Sequence, residues 1–439
     1  MKLLFGKKLG ILGVSLALVL LSGCMGKNNI EEYMRPPKLT GEQSAINQAM
    51  EEALGSQFIL QYPVSGSYRS AFLLQNLDSD EDLEAIVFYK ESASAATMIG
   101  VLDREGGEDW HLIYSVAGDA PEVESVSLAH LEEGSSADIL VQWRDQSGQN
   151  QVLSAYSFNS RRLNHRFSQA CDSYITVRPQ QGAQESLLVF SAQKKDSLAQ
   201  VVLIEELDGN LRAVDRLTLS EQITGYQQMI AGTLDTGEPA VYLDVQLADG
   251  RYATQVIGVA DETLWMLEAK GISLLELTER YQPIYCRRDA QGSVRIPVLT
   301  TMPGYESRVA AEQEYSANMI TLDSTGEVTA SQQCYISLYG QFVFRYPQVW
   351  KEKQITVIWD HALEECIFYE YGGRMDTSSV LLRIKVLASG EALDQFQSEN
   401  YQRLTSRGQY EYYYYLPNPD KIGPEFNYDV CRDAFSLLW

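Results

Sequence analysis

Hydrophobic and polar positions along this chain fall into three regimes. The first is a single apolar run, Leu9 to Leu21, broken only by Gly10, Gly13 and Ser15 and preceded by Lys2, Lys7 and Lys8. It is about a dozen residues long, which predicts the core of an export signal rather than a membrane-spanning helix. The second regime covers 57–333. There, short apolar runs rich in β-branched and aromatic residues alternate with turn signals, with no helical period, which predicts strands. In the third, 334–439, the runs are longer and more aromatic, and the spacing changes.

Between the first two regimes, residues 25–39 are polar and contain Pro36-Pro37, the pattern of a spacer. Thr40 and Gln43 then make a capping box, Ile46, Met50, Ala53 and Leu54 follow at helical spacing, and Gly55 provides the stop. A short helix is predicted over 41–54.

The second regime repeats. An acidic or glycine-containing loop followed by a buried strand starts at Asn76, His130, Arg178, Thr233 and Arg287, with anchors at Glu84, Asp138, Glu185, Glu238 and Val294. A hairpin follows each, anchored at Asp103, Asn159, Asp208, Asp261 and Asp323. Two elements keep one phase over a period of about 50 residues, and each unit supplies about four strands, the signature of propeller blades. A four-stranded sheet cannot bury both faces alone, whereas several packed side by side can. The expected fold is therefore mainly β: a β-propeller of five or six four-stranded blades over 57–333, followed by a small α+β domain over 334–439. A tandem of sandwiches or a β-solenoid remains the alternative. Phe58–Tyr62 paired with Cys334–Leu338 would close a hybrid sixth blade.

In the last segment, strands are predicted near 342–346, 355–359, 365–371, 380–387 and 409–416, with helices over 391–406 and 428–439. Tyr410, Tyr412, Tyr413, Tyr414 and Tyr415 cluster on one strand. Alternation puts Tyr410, Tyr412 and Tyr414 on one face. That face is a candidate binding surface, since tyrosine joins apolar area to a hydroxyl, or else it is the core side of the strand.

Three local patterns resemble known families. Leu21-Ser22-Gly23-Cys24 resembles a bacterial lipobox. The resemblance implies cleavage after Gly23, lipid on the Cys24 thiol, and a protein anchored on the extracytoplasmic face of the cell membrane, with 1–24 as signal peptide and 25–56 as spacer and helix. Asn76-Leu77-Asp78-Ser79-Asp80-Glu81-Asp82-Leu83-Glu84 is similar to the FG-GAP/VCBS blade motif of integrin-α-like propellers. That likeness implies a Ca²⁺ loop with Asn76, Asp78, Asp80 and Glu84 as ligands, hard oxygens at alternate positions suiting that cation. Glu81 stands where the family has glycine, which makes the turn harder. Phe342-Val343-Phe344-Arg345-Tyr346-Pro347 with Trp350 resembles the opening of PsbP/Mog1-like domains.

Charge narrows the partners. A net charge of −24 argues against nucleic acid. Six cysteines include Cys24; the remaining five cannot all pair within the chain and read mostly as buried thiols, with a disulfide among Cys334, Cys366 and Cys431 left open. No nucleophile elbow, metalloprotease helix or phosphate loop is present. Of four histidines, none is at metal-ligand spacing to another; His361 sits beside Asp360 and near Glu364 and Glu365, and a role for it needs partners supplied by the fold.

The expectation is a non-catalytic, lipid-anchored binding or scaffolding protein for an envelope protein or glycan. A glycan hydrolase using propeller carboxylates and a Ca²⁺-dependent adhesion module are the alternatives.

Overall fold

A computed structural model describes residues 41–78, 82–91, 96–104, 109–134, 136–178, 184–194, 197–388, 400–417 and 426–438. The chain groups into two units: Met1–Ser56 with Arg104–His111, and Gln57–Asp103 with Leu112–Trp439.

The first unit holds helix α1 (Gly41–Leu54). Ile46, Ala49 and Met50 are buried on one stripe, and side-chain hydrogen bonds Asn47–Glu51 and Gln48–Glu52 brace the opposite one. Gly55 ends the helix at φ 74°, its amide donating to Glu51. In the same unit Arg104 pairs with Glu42 and lies 4.4 Å over the Trp110 ring.

The second unit is a succession of antiparallel sheets. The first contains β1 (Phe58–Leu60), β2 (Phe72–Gln75), β3 (Glu84–Glu91), β4 (Met98–Arg104) and β5 (Trp110–Ala117). Both β1 and β2 pair with β3, and the order continues β3-β4-β5. The second sheet is β6 (Glu122–Ala129), β7 (Asp138–Arg144), β8 (Gln151–Asn159) and β9 (Arg162–Ala170). The third is β10 (Ser173–Val177), β11 (Ser186–Ser191), β12 (Gln200–Leu207) and β13 (Asn210–Thr218); the fourth is β14 (Ile223–Thr233), β15 (Pro239–Leu247), β16 (Tyr252–Ala260) and β17 (Thr263–Met266). Each is four strands in chain order, as the repeat predicts.

The near-continuous apolar runs have a simple cause: alternate residues of one strand serve two different cores. On β7, Ile139, Val141 and Trp143 pack with Ile86 and Phe88 of the first sheet, while Leu140 packs with Leu187 and Val189 of the third. On β11, Leu188 and Phe190 turn instead toward Val241 and Leu243 of the fourth. On β15, Ala240 and Tyr242 face Ile296 and Ile320 of the next sheet. The last strands of the units are half exposed, and β9 and β13 share one burial pattern residue for residue. They are reached through two-residue turns with positive φ at both positions: Ser160-Arg161, Asp208-Gly209 and Asp261-Glu262. Such turns match the right-handed twist of the flanking strands.

After a short ribbon of β18 (Glu268–Ala269) and β19 (Ile272–Ser273) and the one-turn α2 (Leu274–Leu277) comes the fifth sheet. It contains β20 (Arg287–Arg288), β21 (Val294–Thr301), β22 (Tyr315–Leu322), β23 (Val328–Ser337) and β24 (Phe342–Arg345). The C-terminal β30 (Phe435–Leu437) completes it beside β24. The sixth sheet runs β25 (Ile355–Asp360), β26 (Glu365–Glu370), β27 (Ser379–Ala388), β29 (Tyr410–Tyr415) and β28 (Gln402–Arg407). The aromatic core it shares with the fifth includes Tyr335, Phe344, Trp350 and Phe368.

Four expectations for the ends of the repeat region change. Phe58–Leu60 pairs with Tyr89–Glu91 of its own sheet, and Cys334–Ser337 pairs with β24, so these two segments do not close a shared blade. The boundary drawn between 333 and 334 falls inside β23, which runs on without a break. Gln402–Ser406 is strand rather than the end of a helix, because it supplies the edge partner of Tyr410–Tyr414; residues 391–399 lie outside the described residues. The terminal helix is only α3 (Tyr428–Ala434), capped by the Asn427 side chain, and the chain then turns into β30.

Candidate functional site

The residues singled out from the sequence scatter. Cys24 and Asp80 lie outside the described residues. Glu84 opens β3 fully buried, and its Oε2 accepts the Leu77 amide at 2.5 Å. The carboxylate is thus engaged by the Leu77 backbone. Among the described residues, no three His, Cys, Asp or Glu side chains converge as a metal site. Tyr412 and Tyr414, expected on a binding face, are 2% and 3% exposed and belong to the core shared by the last two sheets. Alternation therefore resolves in favour of the core side, and only Tyr410, 37% exposed, remains at the surface. All five cysteines after Cys24 are free and buried.

His361 does gain partners from the fold, but not its sequence neighbours. Asp360 is occupied in accepting the amides of Ala362 and Leu363. Glu365 is turned inward to Arg383 at 2.9 Å and the Tyr401 hydroxyl at 2.6 Å. Instead the His361 ring lies 4.9 Å edge-on to Tyr339, which in turn lies 4.8 Å from Trp359.

These rings wall a cleft of about 190 Å³ where the fifth and sixth sheets meet. Four stretches build it: Gln282 and Ile284 from the connection into β20, Gln313–Tyr315 at the start of β22, Tyr335–Tyr339 at the end of β23, and Trp359 with His361 at the end of β25. Tyr339 is 64% exposed. It sits on the tight β23–β24 connection, where the Gly340 amide donates to Ser337 Oγ and Gln341 takes φ 54°. Gly340 is required there: a Cβ would stand 2.7 Å from Phe342 and 2.9 Å from the Trp359 ring. The turn therefore rests on Trp359, fixing Tyr339 against the same ring.

Glu314 supplies the charge. The Tyr335 hydroxyl donates to its Oε2 at 3.1 Å. Burial holds the Glu314 carboxyl above its ordinary range, opposed by the Tyr335 hydrogen bond and the charge of His361. A carboxyl shifted by desolvation in a cleft with open aromatic faces is a recognised mark of a functional site. Gln313 lends rigidity: it accepts from Thr301 and Tyr315 and donates to the Arg308 carbonyl.

The wall formed by Gln282 and Ile284 is held from below. Arg280 and Asp244 form an ion pair at 2.7 Å with both side chains at 0% exposure. Asp244 also accepts from Thr254 Oγ1 and the Cys286 amide, and Arg280 donates to the carbonyls of Thr278 and Ile284. Every formal partner of the pair is thus present, the condition under which a buried ion pair is tolerated.

Two other places carry less chemistry. A roomier cleft of about 550 Å³ at β6, β10 and residues 65–68 is lined by neutral hydroxyls such as Ser65, Ser127 and Tyr174. A serine–histidine–aspartate group forms near Asp119, but its connectivity is wrong for nucleophile activation. Ser154, Ser168 and His165 all converge on Asp119 Oδ2, whereas activation needs the serine on the histidine.

The sequence signal for the main cleft was faint. Trp359 and His361 stand close together and Tyr339-Gly340 reads as a turn, but nothing in the spacing ties them to Glu314 or Gln282.

No family model matches the sequence, and no curated protein sequence matches it. Among solved structures, the chain is similar to a hypothetical protein from Leishmania major (13% identity, 65% of this chain and 97% of that one, TM-score 0.23). It is also similar to a protein from Lactobacillus plantarum (10%, 73% and 86%, TM-score 0.28) and to TolB from Acinetobacter baumannii (10%, 61% of each chain, TM-score 0.24). TM-scores this low transfer neither fold nor activity.

Proposed function

We propose that this chain is a lipid-anchored extracytoplasmic binding protein whose aromatic cleft takes a sugar ring of an envelope glycan. In this reading the stacked four-stranded sheets are blades of a β-propeller of FG-GAP/VCBS type, and Cys24 carries the anchor. The observation that supports it most is the open Tyr339 face, braced against Trp359 and His361, beside Glu314. Pyranose rings have an apolar face suited to such rings and hydroxyls suited to a carboxyl, an amide and an imidazole. The described lining holds one carboxylate, Glu314, whereas hydrolysis between paired carboxylates requires two. Binding is therefore favoured over cleavage.

The test is affinity electrophoresis of the full chain through gels cast with cell-wall and storage polysaccharides. Retardation by at least one polymer is expected, weakened about fivefold in Tyr339→Ala, as loss of a ring contact worth about 1 kcal/mol predicts, and kept in Tyr339→Phe. Unretarded migration on every polymer, or equal retardation of Tyr339→Ala, would defeat the reading.

A further inference from the structure

On a chain of net charge −24, four arginines gather at one cleft of about 420 Å³. It lies on one face of the fifth sheet, away from the aromatic core. Register places Met319 opposite Gln332, Cys334 opposite Arg345, and Val343 opposite Ser436, so these side chains share a face. Arg295 on β21 joins them, and β20 with its turn brings Arg287 and Arg288 over the same surface.

The charges do not balance locally. Among the described residues, Asp289 is the one acid lining the cleft. Its Oδ2 is held by Arg295 Nε at 2.8 Å and its Oδ1 by the amides of Gln291 and Ser293. Arg288 donates to the Gly292 and Ala231 carbonyls, and Arg345 to the Asp433 carbonyl. Arg287 reaches the Leu438 carbonyl through Nη2 at 3.4 Å, while its Nη1 is buried with no hydrogen-bond partner among the described residues. Arg287 also stands directly across from Arg295 in the β20–β21 pair, an unfavourable like-charge arrangement. Burial and the positive charge of Arg345 both push the Arg287 pKa down. A half-buried cation beside a second cation, with a donor left over, is costly unless something negative completes it.

We propose that this cleft binds a small oxyanion, a phosphate or carboxylate group, between the guanidinium groups of Arg287 and Arg345. Guanidinium forks match such groups in two-point hydrogen bonds. The acidic remainder of the molecule gives no long-range attraction to anions, so selection rests on these contacts at close range. Cys334 on the floor is not part of the chemistry: burial pushes its thiol up to about 12.

The test is calorimetric titration of the full chain, in chloride buffer of constant ionic strength, with inorganic phosphate, acetate and glycerol 3-phosphate in turn. Saturable binding of at least one is expected, weakened about tenfold or more in Arg287→Gln and in Arg345→Gln and partly kept in Arg287→Lys, which retains charge but not the fork. Arg162→Gln, exposed at the start of β9 and outside this cleft, should bind as the parent does. Phosphate binding without glycerol 3-phosphate binding would assign a free ion, and the reverse a phosphoryl group on a larger molecule. Binding of acetate alone would assign a carboxylate. The proposal is overturned if none binds saturably, or if both glutamine variants bind as the parent does. Should one variant fail to fold, the other decides.

Discussion

At the scale of single residues, the governing fact is how buried polar groups are completed. Arg280 and Asp244 sit at zero exposure with their hydrogen bonds met, so removing one partner strands the other. Arg280→Ala is expected to cost about 3–5 kcal/mol, read as a fall in urea midpoint, because an uncompensated buried charge remains. The same variant releases the Gln282–Ile284 wall, so glycan retardation should weaken even where the fold survives. Glu314 gives a pH signature. Its folded pKa lies above the ordinary 4.5 through burial, so the folded state holds that proton more tightly than the unfolded chain. The associated stability is full below pH 4.5 and is lost as pH rises through the folded value. Glu314→Gln cannot ionise, so its stability relative to the parent should rise across that window; parallel pH-dependent unfolding curves would refute the assignment. Thiols follow the same logic. Burial raises Cys171 to about 12 and lifts Cys286, Cys366 and Cys431. A thiol reagent at neutral pH should find no fast-reacting cysteine among these until the chain is unfolded.

At the scale of elements, each sheet is specified by strands that serve two cores. This was legible: the runs at 84–91, 138–144, 186–191 and 239–247 are too continuously apolar for a sheet with one wet face. The hairpins were legible as well, since Asp208, Gly209 and Asp261 are residues that tolerate positive φ. What could not be read was how tightly neighbouring sheets approach. Gly118 is the clearest case: a Cβ there would lie 2.1 Å from the Trp143 ring, which is fully buried and packs edge-on to Phe88 at 6.3 Å. Gly118→Ala should therefore cost about 1–3 kcal/mol by overpacking, measured as a lowered melting temperature, while the same change at the open Gly148 turn acts only through its φ of 70°. The tyrosine strand illustrates the limit of alternation. It separates two faces correctly but does not say which is wet, and the core shared with the fifth sheet, which covers Tyr412 and Tyr414, decides that.

At the scale of the whole chain, the last residues return to finish an earlier sheet. β30 pairs with β24, and Phe435 stacks on Phe342 with ring centres 5.3 Å apart. Deletion of 435–439 should accordingly lower the thermal midpoint and broaden the transition, since it removes both an edge strand and a core ring; an unchanged melt would show that the return is dispensable. The proposed anchor on Cys24 is tested separately at this scale. Cys24→Ala should move the protein from the membrane to the soluble fraction and abolish labelling by palmitate.

The sequence alone determined the strand content, the four-stranded period with its turns, the helix ending at Gly55, and the burial of the cysteines. All of these depend on local propensity and periodicity, which neighbouring residues encode. The tertiary structure decided the rest: that Tyr412 and Tyr414 face inward, that β23 continues past 333, that 402–406 is a strand, and that the chain end returns to β24. It also brought Tyr339, Trp359 and His361 to Glu314, and left Arg287 beside Arg345. Those juxtapositions join residues tens of positions apart through sheet packing, and no spacing along the chain records which faces meet.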